Sequence, residues 1–329
     1  MRTFKKLLPL LAGIAVFLVC NQILNYLLIP YQFTRMKIHR IETESWQDLI
    51  LGSSHGCSAL DPAVLTEKTG RSCFNAAAGG QYPADNYYLL LDACRHHKPE
   101  RVIFEYDPAY WIAGDPFNRN ARYQLDVMAP SVVRARYFFD QFFNSDLRQV
   151  LMPWLAYRRD HLRIRQTLAV KQSEAYRTFS SEPFSTEYQT CRADGFTAIS
   201  DQAPRSETIP ELAFTTANER YVRENDAAFL RLVDTCMKEG IALVVVQTPM
   251  PPSTVDAWRP FFEEGHAHME ALASQYGFMF LDYVQTAGEG DGTAEAVNWA
   301  DEDFSDGEGH MRGSSAARFS QIFGERLLR

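Results

Sequence analysis

The chain has 329 residues, of which 46% are hydrophobic and 22% are charged, a composition that suits a globular protein and excludes a disordered chain or a fibre. The formal net charge is −8 at pH 7 and no long basic stripe interleaves with aromatic residues, which argues against nucleic-acid binding. The six cysteines are scattered without zinc-type spacing, so we expect free thiols and predict neither a metal nor a cofactor.

The N-terminus carries an apolar segment at residues 7–29, which follows three basic residues. A helix of this length can span a bilayer, and no convincing small-x-small cleavage site follows it. We therefore expect an uncleaved signal anchor at 7–29, with residues 1–6 as a cytoplasmic tail and residues 30–46 as a linker.

The second half of this segment is less apolar, because it contains Asn21, Gln22 and Asn25. A cleaved or interfacial segment therefore stays open as the alternative. Basic residues on the two sides of the segment nearly balance, so the positive-inside rule favours a cytoplasmic N-terminus only weakly.

Beyond the linker, short apolar runs alternate with helical patterns. Strands are predicted at residues 48–51, 72–76, 101–106, 241–247 and 278–282, with helices at about 61–68 and 83–96 and before each of the last two strands. Strands that alternate with helices form a parallel sheet covered on both faces. We predict a three-layer α/β/α domain over residues 47–329, built on a five-stranded, doubly wound parallel sheet.

Residues 114–215 fit no strand–helix unit and are predicted to be an insertion. Aromatic, leucine and arginine residues with helical spacing over about 131–170 favour packed helices. The stretch 158–165 is the most basic in the chain. It is typical of a solvated helix face, and a contact with an anionic polymer or lipid headgroups is the alternative.

Two short motifs at opposite ends of the domain predict a serine hydrolase. Leu-Gly-Ser-Ser-His at 51–55 ends the first strand, and Asp-Gly-Glu-Gly-His at 306–310 precedes the last helix. A serine nucleophile needs a histidine to take its proton and a carboxylate to orient that histidine. We therefore predict Ser54 as nucleophile, His310 as base and Asp306 as the orienting carboxylate.

Each of these residues has a simpler alternative. Ser54 could cap a helix from a turn, and His310 could be a surface residue. His55 is a rival base, although adjacent residues on a turn point in different directions. Glu308 or Asp303 could orient the histidine in place of Asp306.

Four pieces of the sequence resemble the blocks of the SGNH, or GDSL-like, hydrolases. Gly-Ser-Ser at 52–54 resembles the first block, whose serine corresponds to Ser54. Phe-Asn at 74–75 with Gly-Gly-Gln at 79–81 resembles the second, whose glycine donates an N–H to the oxyanion, which implies this role for Gly79 or Gly80. Asn75 is either a side-chain donor to the oxyanion or a turn former. Residues 304–313 resemble the closing Asp-x-x-His block.

Two features depart from the family pattern. Glu-Tyr-Asp-Pro at 105–108 occupies the place of the third block without its Gly-x-Asn-Asp; Tyr106 and Asp107 there either line the substrate site or form an ordinary packed cluster. One extra residue separates Asp306 from His310, which requires a looser loop that its two glycines could provide.

The likeness is closest to the membrane-anchored, cell-envelope branch of the family, which includes the teichoic-acid D-alanylation protein DltD and the alginate and peptidoglycan O-acetylation proteins. It implies an extracytoplasmic, single-pass membrane protein that hydrolyses or transfers ester-linked acyl groups on a cell-surface glycopolymer. The implied partner is a multispanning membrane O-acyltransferase that delivers the acyl group. The alternatives are a catalytically silent SGNH-like binding or assembly protein, and a secreted lipase-like esterase.

Overall fold

The protein is described by a computed structural model over residues 2–112, 119–143, 146–206, 219–284 and 298–328. The boundaries predicted for the insertion, at 114 and 215, lie outside the described residues. The strands are β1 (Asp48–Leu51), β2 (Cys73–Asn75), β3 (Arg101–Glu105), β4 (Gln189–Cys191), β5 (Thr197–Ile199), β6 (Ala242–Gln247) and β7 (Met279–Asp282).

Helices surround the strands along the whole chain. From the N-terminus to just after β3 they are α1 (Arg2–Leu28), α2 (Thr34–Thr43), α3 (Ser54–Ala59), α4 (Pro62–Thr69), α5 (Pro83–His96) and α6 (Pro108–Ile112). The next group is α7 (Arg119–Val127), α8 (Val132–Gln141), α9 (Arg148–Leu151), the 3-10 segment Pro153–Arg163, α10 (Ile164–Gln172), α11 (Glu174–Arg177) and a 3-10 turn at Glu182–Phe184. The last group is α12 (Glu219–Glu239), α13 (Pro252–Ala257), α14 (Arg259–Tyr276), a 3-10 turn at Asp301–Asp303 and α15 (Gly313–Arg326).

The main sheet has the strand order β2-β1-β3-β6-β7, and all its pairings are parallel. Successive residues of β1 face opposite sides: Leu49 and Leu51 join the core shared with α2, α5 and α12, and Ile50 joins the core shared with α3, α4 and α15. A parallel strand buried on both faces is mostly apolar, as β1 is after Asp48. The predicted three-layer α/β fold with five parallel strands is confirmed.

Local sequence signals predicted two of the helices correctly. The structure confirms the predicted helix at Pro83–His96, and α4 begins at Pro62 with Asp61 as its cap. Asp61 accepts a hydrogen bond from the Ala63 amide at 2.9 Å, as an N-cap aspartate does. All six cysteines are free thiols.

The N-terminal helix and the segment after it are continuous with the domain. Leu7–Leu28, within α1, is long and apolar enough to cross a membrane, and it is the one such helix in the described part of the chain. Residues 30–46, predicted as a linker, contain α2, whose Ile38 and Ile41 are buried in the main core. This segment is therefore packed into the domain.

The insertion is mostly helical in its described part, but it also contains a hairpin that the sequence did not predict. Strands β4 and β5 pair antiparallel, and the turn between them rests on β2. The Asn75 amide donates to the Asp194 carbonyl at 2.9 Å. Gly195 adopts φ +86°, and a Cβ atom there would lie 1.9 Å from the Asn75 carbonyl oxygen. The hairpin thus contacts β2 through a glycine. Any larger residue at this position would push the hairpin and β2 apart.

Replacing Gly195 by alanine is expected to destabilise the protein more than the same change at Gly70. Gly70 has φ +70°, but a Cβ there would meet no other atom. Gly70→Ala therefore measures only the cost of the left-handed backbone for alanine, about 1 kcal/mol. Gly195→Ala also forces the new Cβ against the Asn75 backbone. Overpacking of this kind costs about 1–3 kcal/mol in addition. Denaturant unfolding of the full-length protein in detergent measures both; equal losses would contradict this account of the hairpin.

Candidate active site

Ser54 lies where β1 ends and α3 begins. The Ser53 side chain caps this helix by accepting a hydrogen bond from the His55 amide at 3.2 Å. α3 is short and rich in small residues, and its sequence did not predict it. Its position depends on tertiary contacts, since the Asn75 side-chain amide donates to the carbonyls of Gly56 and Leu60 at 2.8 and 2.9 Å.

Ser54, His310 and Asp306 form one hydrogen-bonded chain. The Ser54 Oγ lies 2.8 Å from His310 Nε2, and His310 Nδ1 lies 2.8 Å from an Asp306 carboxylate oxygen. With the proton on Nδ1, the imidazole donates to Asp306 and accepts from the serine hydroxyl, which is the tautomer a general base requires. The structure thus brings together the three residues that were predicted as a triad.

The loop at 306–310 accommodates its extra residue by wrapping around the carboxylate. One Asp306 oxygen accepts hydrogen bonds from the amides of Glu308, Gly309 and His310, at 3.1, 3.0 and 3.2 Å. Gly309 adopts φ +104°, and a Cβ there would meet the Met250 sulfur at 2.5 Å. The longer Asp-to-His spacing is therefore compatible with the contacts of a triad.

Asp303, one of the other carboxylates considered for His310, has different partners. Asp303 accepts hydrogen bonds from the Ser315 hydroxyl at 2.6 Å and from Arg318 at 3.0 Å. Burial alone would raise the pKa of Asp306, but the hydrogen bond and positive charge of His310 outweigh it and lower that pKa to about 2. Asp306 is thus ionised at neutral pH and can orient the imidazole.

A second histidine–carboxylate pair is buried beside the first. His55 Nδ1 lies 2.9 Å from Asp107, and the His55 ring centre is 5.1 Å from that of His310. Ser53 donates its hydroxyl to Asp107 at 3.1 Å and its amide to Glu105 at 2.7 Å. His55 was predicted to point away from the site; the start of α3 turns its side chain inward instead.

The ionisable groups of this buried cluster shift one another's pKa values. Burial would lower the pKa of His55, but the adjacent Asp107, with Glu105 and Asp306 farther off, raises it to about 10. His55 in turn holds the pKa of Asp107 below its ordinary value despite burial. Burial and the Asp107 charge raise the pKa of Glu105 to about 7.

Histidine and carboxylate groups also meet at positions that could hold a metal. His55, Glu105 and Asp107 have potential ligand atoms within 4.8 Å of one another, as do Glu42, Asp92 and His96. In the first group the hydrogen bonds from His55 and Ser53 to the carboxylates already provide partners. His266 and His268, which lie two residues apart on α14, bond to Asp282 and Asp226.

The glycine turn predicted to contribute to the oxyanion site lies next to Ser54. A Cβ at Gly79 would be 3.7 Å from the Ser54 Cβ. Within the described residues, neither the Ser54 amide nor the Gly79 amide donates a hydrogen bond. The Tyr110 hydroxyl has Ser54 and the Gly80 backbone as hydrogen-bonding neighbours; burial nevertheless raises the pKa of Tyr110 to about 12.

Asn75 takes the role of turn former in this structure. Both hydrogens of its side-chain amide bond to backbone carbonyls, as described for α3, and its oxygen accepts from the Ala77 amide at 3.1 Å. The side chain is completely buried and has no hydrogen left for an oxyanion at Ser54.

A cavity of about 170 Å³ opens beside Ser54, and a second of about 390 Å³ adjoins it. Tyr106, Pro108 and Phe261 line both. The first cavity also contacts Ser54, His55, Glu105, Asp107, Ala109, Tyr110, Gln247, Thr248, Met250, Phe262 and Glu308. Tyr106 and Asp107 thus lie at a cavity beside the serine, and Tyr106 also donates to the Gly265 carbonyl at 3.3 Å.

Glu105 and Gln247 were not predicted as site residues. Each is the polar last residue of its strand, β3 and β6, and follows a run of at least three apolar residues. Because the carboxyl ends of adjacent parallel strands meet at one edge of the sheet, a polar residue in that position is a usable signal for a site.

Neither a family model nor a curated protein matches this chain. A solved structure from Bacteroides fragilis NCTC 9343, described as a "putative acylhydrolase", is similar to it at 11% sequence identity. The similarity covers 86% of this chain and 88% of that one, with a TM-score of 0.36. A likeness at this level does not assign a function, which depends on the contacts described above.

Titration of His55 is expected to make the protein less stable as pH rises. Its pKa is raised in the folded state, so the folded protein holds a proton that the unfolded chain loses above about pH 6.5. The free energy of unfolding should therefore fall between about pH 6.5 and 10. Denaturant unfolding across this range should show a shallower slope for His55→Gln than for wild type, and identical slopes would contradict the assignment.

Proposed function

We propose that the protein is a membrane-anchored serine esterase or acyltransferase that acts on ester-linked acyl groups of cell-envelope glycopolymers. The observation that carries this proposal is the continuous chain from Ser54 through His310 to Asp306, with 2.8 Å at each step. It lies at the carboxyl end of β1 and beside a cavity, where open α/β sheets bind ligands.

The geometry supports a two-step reaction through an acyl-enzyme. His310 Nε2 takes the hydroxyl proton as the Ser54 Oγ attacks the ester carbonyl, and Asp306 stabilises the resulting imidazolium. The imidazolium then donates its proton to the departing alcohol, which leaves the acyl group on Ser54. Water or a sugar hydroxyl attacks this ester with His310 again as base, which gives hydrolysis or transfer and frees the serine.

The oxyanion formed in each step needs hydrogen-bond donors fixed beside Ser54. The amides of Ser54 and Gly79 are the best candidates, since no described residue accepts from them. The hydroxyl of Tyr110, next to Ser54, is a third candidate in a chain that lacks the family asparagine of the third block. Gly80 shapes this turn and contacts Tyr110.

The membrane and substrate parts of the proposal have separate support. The helix within α1 is long and apolar enough for a single-pass anchor. The extracytoplasmic orientation, the glycopolymer and a multispanning O-acyltransferase partner follow from the resemblance of the motifs to the cell-envelope branch of the SGNH hydrolases. An anchored domain would keep Ser54 near such a partner.

Covalent labelling of the full-length protein with a fluorophosphonate tests the chemistry. Wild type should be labelled, Ser54→Ala should not be, and His310→Ala should react at least about 100-fold more slowly because the base is lost. Ser274→Ala is the matched control, since it removes the hydroxyl of an exposed serine on α14, away from the site, and should still be labelled.

The alternative function is an outcome of the same experiment. A folded wild-type protein that resists labelling would favour a catalytically silent binding or assembly protein, because an unactivated serine cannot attack an ester at a useful rate. Labelling that survives Ser54→Ala would overturn the choice of nucleophile.

A further inference from the structure

The cavity beside Ser54 has apolar walls, formed largely by Tyr106, Pro108, Met250, Phe261 and Phe262. Its volume of about 170 Å³ is close to the roughly 150 Å³ of an apolar cavity that holds one benzene molecule. Because the cavity opens at the nucleophile, a short acyl group of about six heavy atoms would fill it while its carbonyl lies at Ser54.

Polar groups without partners lie in this apolar setting. Gln247 lines the cavity and is 1% exposed, yet among the described residues neither its side-chain nitrogen nor its oxygen has a hydrogen-bond partner. One carboxyl oxygen of Glu105, which also lines the cavity, has no partner either. A buried polar group left unpaired costs about 1–3 kcal/mol, so a ligand that pairs with the amide would recover this energy.

We propose that the cavity binds the acyl group of the substrate and that Gln247 recognises a hydroxyl group on it. This inference rests on the proposed function. A side-chain amide has both donor and acceptor groups, and a hydroxyl can pair with either kind. A carboxylate on the acyl chain would meet Asp107 and Glu105, so the substrate class is an ester of a short, uncharged hydroxyacyl group.

Matched esters test the assignment in the full-length protein. Wild type should hydrolyse p-nitrophenyl 3-hydroxybutyrate with kcat/KM at least about 10-fold above that for the butyrate, because the unhydroxylated chain leaves Gln247 unpaired. In Gln247→Leu this ratio should fall towards one. Gln275→Leu, on the exposed face of α14, should keep the wild-type ratio.

The outcomes separate the two proposals. A wild-type ratio near one, or a ratio unchanged in Gln247→Leu, with normal fluorophosphonate labelling would overturn the hydroxyacyl assignment alone. Absence of labelling in folded wild type would overturn the proposed function and the assignment with it.

A second inference comes from how the insertion holds the end of α1. The Asn21 side chain donates to the Leu151 carbonyl at 2.7 Å and accepts from the Trp154 indole at 3.0 Å. The Trp154 amide donates to Asn25 at 3.0 Å, and Lys171 donates to the carbonyls of Tyr26 and Ile29 at 2.6 Å. Residues near 151–154 are therefore fixed beside the last turns of the helix.

The length of the helix sets the depth of these contacts. A hydrocarbon core is about 30 Å thick and needs about 20 helical residues at 1.5 Å each. The stretch from Leu7 to Asn21 covers only about 21 Å. A spanning helix must therefore place the turns beyond Asn21 within the membrane as well, together with the Leu151 and Trp154 that contact it.

We infer that α9 and the start of the following 3-10 segment enter the lipid beside the anchor helix. Three exposed side chains there are apolar, with Leu147 at 53%, Val150 at 51% and Leu151 at 66% exposure, and the exposed Arg148 among them is paired with Asp146. Trp154 would lie near the headgroup boundary, where tryptophan is enriched. Exposed arginines at 158, 159 and 163 follow on the same segment and suit anionic headgroups.

Photocrosslinking tests whether this segment enters the lipid. It is done on the full-length protein, reconstituted in vesicles of phosphatidylcholine and phosphatidylglycerol. A p-benzoylphenylalanine in place of Leu151 should form lipid adducts at least about 10-fold more often than one in place of Met237. The two positions are equally exposed, at 66% each, and Met237 lies on α12 of the α/β domain. Equal adduct yields would overturn the inference, and intact labelling by a fluorophosphonate would show that both variants are folded.

Discussion

The Asp306 carboxylate is the constraint on which the site depends. One of its oxygens holds three successive amides of the 306–310 loop, and the other holds the imidazole of His310. The same side chain therefore determines both the path of the backbone and the orientation of the His310 ring. Its low pKa follows from this position, since the hydrogen bonds and charge of His310 favour the ionised form over the burial that opposes it. A loop of different length can serve the same chemistry as long as its amides converge on one carboxylate.

The second buried pair gives the surroundings of Ser54 an unusual electrostatic character. His55 and Asp107 are oppositely charged at neutral pH and line the same cavity as Ser54 and Glu105. The His55 ring centre lies 5.1 Å from that of His310, so a positive charge is held close to the imidazole that contacts Ser54. Asp306 contacts this imidazole directly, whereas Asp107 contacts the neighbouring histidine.

Sequence patterns predicted the sheet because its strands are short, mostly apolar and separated by clear helix signals such as Asp61-Pro62 and Pro83. They predicted the convergence of Ser54, Asp306 and His310 because a serine nucleophile needs a histidine and a carboxylate, which the motifs at 51–55 and 306–310 supply. They did not predict α3 or the β4–β5 hairpin, since neither has a strong local propensity and each depends on Asn75 for its position. The inward direction of His55 could not be predicted either, because it requires the helical backbone that begins at Ser54.

The attachment of α1 to the domain has a consequence for how substrate is reached. Buried residues of α2 and hydrogen bonds from the insertion leave little freedom between the helix and the sheet. A catalytic centre mounted so rigidly on a spanning helix would work at one height above the bilayer and search for substrate by lateral diffusion. Long polymers would then be modified only along the stretch that passes through this layer, so the position of modification would be set by a distance from the membrane rather than by recognition of polymer sequence.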